Sequence, residues 1–305
     1  MRSAITRNGG FRLGPARLLP LLAVALGLAG AAGAATTQGA VAAQSPVPGP
    51  VALPAPPFPA TAATPSGSAG LTVVSTRRNA ITDDDVWVSR NGLAPAALGV
   101  TGDYRDGPGQ QPLPAWAPRE LAGAGVVRAL RSGGLLLVVY GPDFASGHLI
   151  AGFDATTHQR RFAFDLAAWA FSPATRAADR GVAYQELRWA AVRGGVLYVE
   201  SAHSTYAATS GGRTAYISAL DIASGKLRWR SPALVANAQE FVLAGDRIVA
   251  GYGFTREPDF LTVLDARSGR LLGRVAVRSG PGRIVPKGSL LYVRTYDTDV
   301  VARLR

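Results

Sequence analysis

Ile217-Ser218-Ala219-Leu220-Asp221-Ile222-Ala223-Ser224-Gly225-Lys226-Leu227-Arg228-Trp229 reads as a strand, a turn and a second strand. The apolar run ends at Asp221, whose carboxylate can accept hydrogen bonds from the turn amides just ahead of it. Gly225 stands where the turn needs a backbone with φ > 0. The second strand leaves with alternating side chains, which puts Trp229 on its buried face. Two relatives flank this stretch: Gly152-Phe153-Asp154-Ala155-Thr156-Thr157-His158-Gln159-Arg160-Arg161-Phe162, and Val263-Leu264-Asp265-Ala266-Arg267-Ser268-Gly269-Arg270-Leu271-Leu272-Gly273. His158 replaces the turn glycine in the first, and His is among the types seen at φ > 0.

A second unit alternates with this one. Ser132-Gly133-Gly134-Leu135, Arg193-Gly194-Gly195-Val196, Ala244-Gly245-Asp246-Arg247 and Lys287-Gly288-Ser289-Leu290 each lead from one short apolar strand into another. Each reads as a hairpin. Hairpin plus hairpin gives a four-stranded unit of about 40–50 residues, the repeat of a β-propeller blade. Blades are expected at 126–166, 187–231 and 239–278, with a fourth from 282 whose third strand, Val300–Leu304, meets the C-terminus. The expected fold class is all-β, a propeller of four-stranded antiparallel blades, about four to six of them, with space for about five. Either Leu71–Thr76 or Val86–Ser89 is expected to complete the last blade; the competing reading is an open ring completed by a partner or a second copy.

The run Ala219–Trp229 resembles the tryptophan-docking motif of the PQQ-like (quinoprotein alcohol dehydrogenase-like) β-propeller repeat family. That motif is an Ala-x-Asp, a Thr/Ser-Gly-Lys turn and a Trp four residues past the Gly. In the flanking copies Phe162 and Gly273 stand in the tryptophan's place. The resemblance covers 126–305 and concerns scaffold, so it implies fold more than activity. One branch of the family binds PQQ and Ca²⁺ at the axis of an eight-bladed ring, usually under an adjacent-cysteine disulfide. The other is non-catalytic and acts at the cell envelope, like the factor assisting outer-membrane barrel insertion, binding partners through loops on one face. This chain has no cysteine, is too short for eight blades, and matches no calcium-and-quinone ligand set residue by residue. No catalytic or metal residue is therefore assigned, cofactor-binding residues stay open, and no cofactor is expected. PQQ and Ca²⁺ belong only to an alternative reading as a PQQ-dependent dehydrogenase-like oxidoreductase. The absent lipidation cysteine and the small ring also depart from the assembly factor.

The chain ahead of the repeats divides in two. Residues 1–17 are basic and carry no acid, Leu18–Leu28 is an apolar core of signal-peptide length, and Ala32-Gly33-Ala34 offers small residues for cleavage. Residues 1–34 are thus expected to be a signal peptide for general secretion, since the basic region holds no Arg-Arg pair. Residues 35–70 are Ala-, Pro-, Thr-, Ser- and Gly-rich without a charge, and are expected to be a disordered linker ahead of the 71–305 propeller domain. The formal charge of +12 drops to +8 without Arg2, Arg7, Arg12 and Arg17 of the leader. Such a balance fits weak attraction to anionic surfaces. With no dense basic run interleaved with aromatics, no nucleic-acid partner is expected. The absence of cysteine excludes disulfides, thiolate metal sites and a cysteine nucleophile.

Candidate sites in the body are sparse. Asp83-Asp84-Asp85 lacks a calcium-loop context and reads as a solvated loop. Asp297 and Asp299 share a strand face or hairpin tip and read as cross-strand charge partners. His148, His158 and His203 have no zinc spacing. Glu200, His203 and Ser204 invite a triad reading, but no Gly-x-Ser-x-Gly elbow is present. The glycines from Gly99 to Gly109 match neither a phosphate loop nor a dinucleotide fingerprint. Among Trp87, Trp116, Trp169, Trp189 and Trp229, the last is expected in the core, while Trp116 and Trp169 remain candidate glycan platforms. The insertion Ser201–Thr214 is the expected partner-contact loop, so replacing 204–212 with a short turn should abolish capture without lowering stability. The expected function is that of an exported, non-catalytic scaffold at the cell envelope or outside it, with an envelope or extracellular protein partner. Membrane contact is expected only through an uncleaved leader, and the oligomeric state is left open. A glycan- or surface-binding module is the other alternative.

Overall fold

The computed structural model describes residues 48–60, 65, 67–79, 84–98, 111–143 and 146–305. The expected signal peptide and linker residues 35–47 lie outside the described residues, as do Asp83 and the stretch Gly99–Gly109.

Strands β1 (Val51–Ala52) and β2 (Leu71–Arg78), helix α1 (Asp84–Asn91) and the short strands β3 (Ala97–Leu98) and β4 (Glu120–Leu121) come first. Blade 1 follows as β5 (Ala124–Ser132), β6 (Leu135–Gly141), β7 (Leu149–Asp154) and β8 (Arg160–Asp165). Blade 2 is β9 (Glu186–Arg193), β10 (Val196–Ala202), β11 (Tyr216–Asp221) and β12 (Leu227–Arg230). Blade 3 is β13 (Val242–Ala244), β14 (Arg247–Tyr252), β15 (Phe260–Asp265) and β16 (Leu271–Ala276). Blade 4 is β17 (Pro281–Lys287), β18 (Leu290–Thr295) and β19 (Thr298–Leu304), with β2 as its fourth strand. The chain is an all-β propeller of four-stranded antiparallel blades.

β2 pairs antiparallel with β19, from Leu71 opposite Leu304 to Arg78 opposite Thr298, so an N-terminal strand completes the last blade as expected. The other candidate, Val86–Ser89, lies instead inside α1. Asp84 and Asp85 in its first turn and Arg90 in its last complement the helix dipole, and Gly92 ends it at φ 57°. The described residues between 79 and 123 thus form no fifth blade. At one end of α1, Asp84 pairs with Arg283 and Arg294 of blade 4; at the other, the Asn91 carbonyl accepts from Lys287 Nζ at 2.6 Å. β3 then joins the free edge of β5, with Ala97 opposite Leu130. This segment therefore spans from blade 4 to blade 1.

The repeat turns form as their residues require. Asp154, Asp221 and Asp265 accept from turn amides at 2.8–3.0 Å, and His158, Gly225 and Gly269 sit at φ 61°, 68° and 71°. Trp229 packs flat on Gly269 of the next blade: a Cβ there would lie 2.8 Å from Cδ2 of the ring and nearer still to Cε3. In blade 1, Phe162 covers its own strand partner Gly152, and Phe164 covers Gly225 of blade 2. At the degraded third copy, a Cβ on Gly273 would meet the backbone of Ser68 and Ala69 at 2.5 Å. The chain entering β2 occupies the tryptophan's place.

The expected linker departs most from the structure. Residues 48–60 are seated along the rim: β1 pairs in parallel with β8, and Leu53 is buried. Residues 67–69 then run over β16, where Arg274 N–H donates to the Gly67 carbonyl at 3.0 Å. This stretch is held by backbone and side-chain partners on the blades, which its own composition does not reveal. One continuous core joins blades 1 to 3, a second joins blades 3 and 4, and a third covers blade 1.

Candidate functional site

Antiparallel alternation gives the ring two unlike ends. All four glycine hairpins and all three Asp turns emerge at one end, where connections are short. At the other end lie the connections 166–185, 203–215, 231–241 and 253–259, together with the tight turn at Tyr296-Asp297. The three exposed aromatic side chains among the described residues are all on this second face: Phe171, Tyr206 and Tyr296, the last 90% exposed. Phe171 stands edge-on to Tyr184 at 5.2 Å, and Tyr206 edge-on to Phe254 at 5.1 Å. Arg176, Arg180 and Arg278 share the face and are exposed.

The axis holds two concavities. The one toward the tight-turn end is about 410 Å³, and inner strands of all four blades line it with Leu130, Ala190, Phe241 and Ile284. The one toward the long-loop end is about 380 Å³, with Asp84, Gln239, Arg283, Arg294 and Tyr296 in its wall. Its charges are tied to one another. Arg283 in this wall donates through Nε at 3.1 Å to Glu240, which lines the first concavity and also accepts from the Ile284 amide at 3.2 Å. Asp84 lies 2.8 Å from Arg294 Nε, whose guanidinium also reaches Asp299 at 3.5 Å. Burial opposes the Arg283 charge, but Glu240 and Asp84 outweigh it and its pKa rises; burial raises the Glu240 carboxyl against the pull of Arg283.

Glu200 on β10, opposite Trp189, is fully buried, and neither carboxyl oxygen has a hydrogen-bond partner within the protein. Burial pushes its pKa up to about 8 against the attraction of Arg188 and Arg128, so it is mainly protonated at neutral pH. The folded state therefore binds this proton more tightly than the unfolded chain. Its contribution is fully present below the ordinary carboxylate range and is lost as pH rises toward about 8. Glu200→Gln should gain stability relative to the parent across that window. Urea midpoints measured at several pH values check this, and parallel curves would contradict it.

The remaining candidates fall as follows. Asp84 opens α1 and pairs with two buried arginines, which corrects the solvated-loop expectation; Asp85 lies in the same first turn. Asp297 does take a charge partner, Arg278 at 2.8 Å, and Asp299 pairs with Arg294 directly across β18–β19. His148 Nδ1 lies 3.1 Å from the Ser146 carbonyl, and His158 stacks on Trp116 at 4.2 Å. His203 is buried, with Nε2 at 2.8 Å from Ser210 Oγ. Ser204 instead bonds Glu186 and Arg188 on the surface, so Glu200, His203 and Ser204 do not assemble. Trp87, Trp169 and Trp189 are buried, which removes Trp169 from the platform candidates; Trp116 packs edge-on to Phe153. Residues 201–214 are no free loop either. The Ala207 amide donates to Glu257 at 2.6 Å and the Thr175 amide to the Thr209 carbonyl at 2.8 Å, while Ala202, His203 and Ser210 are buried. Replacing 204–212 would thus cost stability as well as exposed surface. Sequence reasoning missed Phe171 and Tyr296, which sit singly in connections without periodicity.

Among the described residues, no group of three or more His, Asp or Glu side chains is placed to hold a metal ion. The carboxylates nearest the axis are already engaged: Glu240 by Arg283 and Ile284, Asp84 by Arg283 and Arg294. These residues do not fit a calcium-and-quinone pair. No described helix is long and apolar enough to cross a membrane.

No protein-family model matches the chain, and no curated protein matches it. Three solved structures show the range of likeness. The computationally designed protein Ika8 is 12% identical, with 61% of this chain and 48% of Ika8 covered at a TM-score of 0.41. BamB from Moraxella catarrhalis is 13% identical, with 77% and 98% covered at 0.32. A europium-containing methanol dehydrogenase is 11% identical, with 72% and 30% covered at 0.33. The chain spans about half the length of Ika8 and under a third of the dehydrogenase. Scores this low carry no argument, and the assignment as a β-propeller stands on the four sheets themselves. The likeness to the PQQ-like repeat extends to the propeller kind and no further.

Proposed function

We propose that this protein is an exported, non-catalytic β-propeller that binds a protein partner at the cell envelope or outside it, through its long-loop face. The observation that carries the reading is the gathering of Phe171, Tyr206 and Tyr296 on that face, beside exposed arginines. Aromatic and arginine side chains are the types enriched where proteins meet, and hot spots are drawn from them. The interlocked charges at the mouth of the axis support a binding rather than a catalytic role, since each carboxylate there already has a cationic partner. Export rests on the basic, apolar and small-residue order of residues 1–34.

Phe171→Ala, Tyr206→Ala and Tyr296→Ala, combined, test the reading against envelope extract. Because Phe171 and Tyr296 are exposed and Tyr206 is 40% exposed, the change in stability should stay within about 1 kcal/mol. Capture of the partner should fall at least about tenfold, a loss of about 1.4 kcal/mol. Arg267→Ala, on the opposite face, should leave capture intact. Equal capture by the triple variant would refute the assignment. Capture of a polysaccharide that survives protease treatment would replace it with a glycan-binding role.

A further inference from the structure

The segment Pro48–Ala60 fills a groove along the seam between blades 1 and 2, and the way it is held is that of a recognised peptide. Leu53 enters a pocket formed by Phe164 of β8 and Gly225 of blade 2, and its amide donates to the Asp165 carbonyl at 2.9 Å. On either side of that point the groove reads carbonyl oxygens. Trp169 Nε1 donates to Pro54 at 3.0 Å, Arg230 Nη1 to Pro57 at 3.0 Å, the Tyr216 hydroxyl to Pro59 at 3.0 Å, and Arg160 to Pro48. All four acceptors are prolines. The Arg230 guanidinium lies over three rings, Phe58 of the segment and Trp169 and Tyr216 of the groove, at 4.9, 5.2 and 4.4 Å. Phe58 meets Tyr216 edge-on at 6.1 Å.

A proline-rich chain has few amides to offer but keeps its carbonyls, and its extended form is set before binding. Aromatic grooves with ring N–H and hydroxyl donors exploit that combination to bind such segments. The segment is also additional to the ring. Blade 1 has its four strands β5–β8 without β1, whereas blade 4 cannot reach four without β2. If the segment leaves, every blade keeps its four strands and the donors of Trp169, Tyr216 and Arg230 face an open groove.

We propose that this seam is a receptor for extended proline-rich segments of a partner, carrying an aliphatic residue ahead of a Pro-x-Pro-Pro-aromatic-Pro run, and that Pro48–Ala60 is its tethered competitor. The site is separate from the long-loop face, and its test reads independently of that face.

The probe is a fluorescein-labelled peptide with the sequence of residues 48–60, followed by anisotropy against the full chain and against L53D/F58A, which unseats the tethered segment. A short tether supplies an effective concentration on the order of millimolar. The peptide should therefore bind L53D/F58A saturably and the parent at least about tenfold more weakly. Arg230→Ala in the unseated background should abolish binding, and a scrambled peptide should not bind. If L53D/F58A does not fold, a protease site inserted after Ala60 provides the second route: in the nicked protein, excess peptide should displace residues 1–60. No binding by folded L53D/F58A, equal binding of the scrambled peptide, or failure to displace the nicked segment would overturn the proposal. So would a concentration-dependent dimer of the parent that L53D/F58A abolishes, since the groove would then belong to the segment of a second copy.

Discussion

A chain lacking residues 71–78 should not reach a cooperatively folded state. These residues form β2, the fourth strand of blade 4, and their loss leaves the whole outer edge of β19 unpaired. Leu71 is 1% exposed and belongs to the core that joins blades 3 and 4, with Val249, Leu261 and Val300. Its burial alone is worth about 1.5–3 kcal/mol. The lost ladder and the disturbed neighbours add to that, against a total stability for such domains of about 5–15 kcal/mol. The exposed edge of β19 also becomes a template for association. A thermal melt should lose its sharp transition and gel filtration should show aggregate, while a peptide covering 67–79 added in trans should restore the transition. A deleted chain that melts like the parent would show that blade 4 stands on three strands. Removing 48–60 alone should by contrast leave a cooperative transition, since β1 lies outside the four-stranded blades.

Gly269→Ala should be the most damaging single substitution among the turn glycines. Two separate costs meet there. The backbone sits at φ 71°, which costs an L-residue about 1–2 kcal/mol. The new methyl would also enter the ring of Trp229, and overpacking of that kind costs about 1–3 kcal/mol. Gly288, at φ 59° with nothing within 4 Å of its Cβ position, isolates the first cost. Denaturant midpoints at constant slope should therefore fall more for Gly269→Ala than for Gly288→Ala, by about 1–3 kcal/mol assigned to Trp229. Equal losses would mean that Trp229 moves aside freely and that the interblade dock is slack. For the same steric reason, Gly273→Trp would not repair the degraded third copy, since the new side chain would collide with Ser68 and Ala69.

Local chemistry made the blades readable. An Asp that accepts its own turn amides and a residue at positive φ are specified within six residues, and they recur at Asp154, Asp221 and Asp265, with His158 in place of glycine in the first. The need for a closing strand was readable because the last blade lacked one, while the choice between Leu71–Thr76 and Val86–Ser89 was not. Helix α1 was half readable: Val86-Trp87-Val88 favours a strand by residue type, while the acids before it and Gly92 after it mark a helix. The seated segment 48–60 was opaque because nothing inside it holds it in place. Its fixation comes from Trp169, Tyr216 and Arg230, more than a hundred residues away. The placing of Phe171, Tyr206 and Tyr296 on one face was equally hidden, since their connections come to the same end only once the blades exist.

The pairing of β2 with β19 also sets the order in which the molecule can be made. Leu71 leaves the ribosome well before its register partner Leu304. Blades 1 to 3 can each form from contiguous sequence as they emerge, but blade 4 must wait for β19 before β2 can join it. Until then β2 has no partner strand, and the contact that gives it one joins residues as far apart in sequence as Leu71 and Leu304. Contacts of that span are slow to form and leave edges exposed in the meantime. The finished blade thus locks together strands far apart in sequence at the cost of a late and vulnerable step, in which any second chain with an open edge competes with β2.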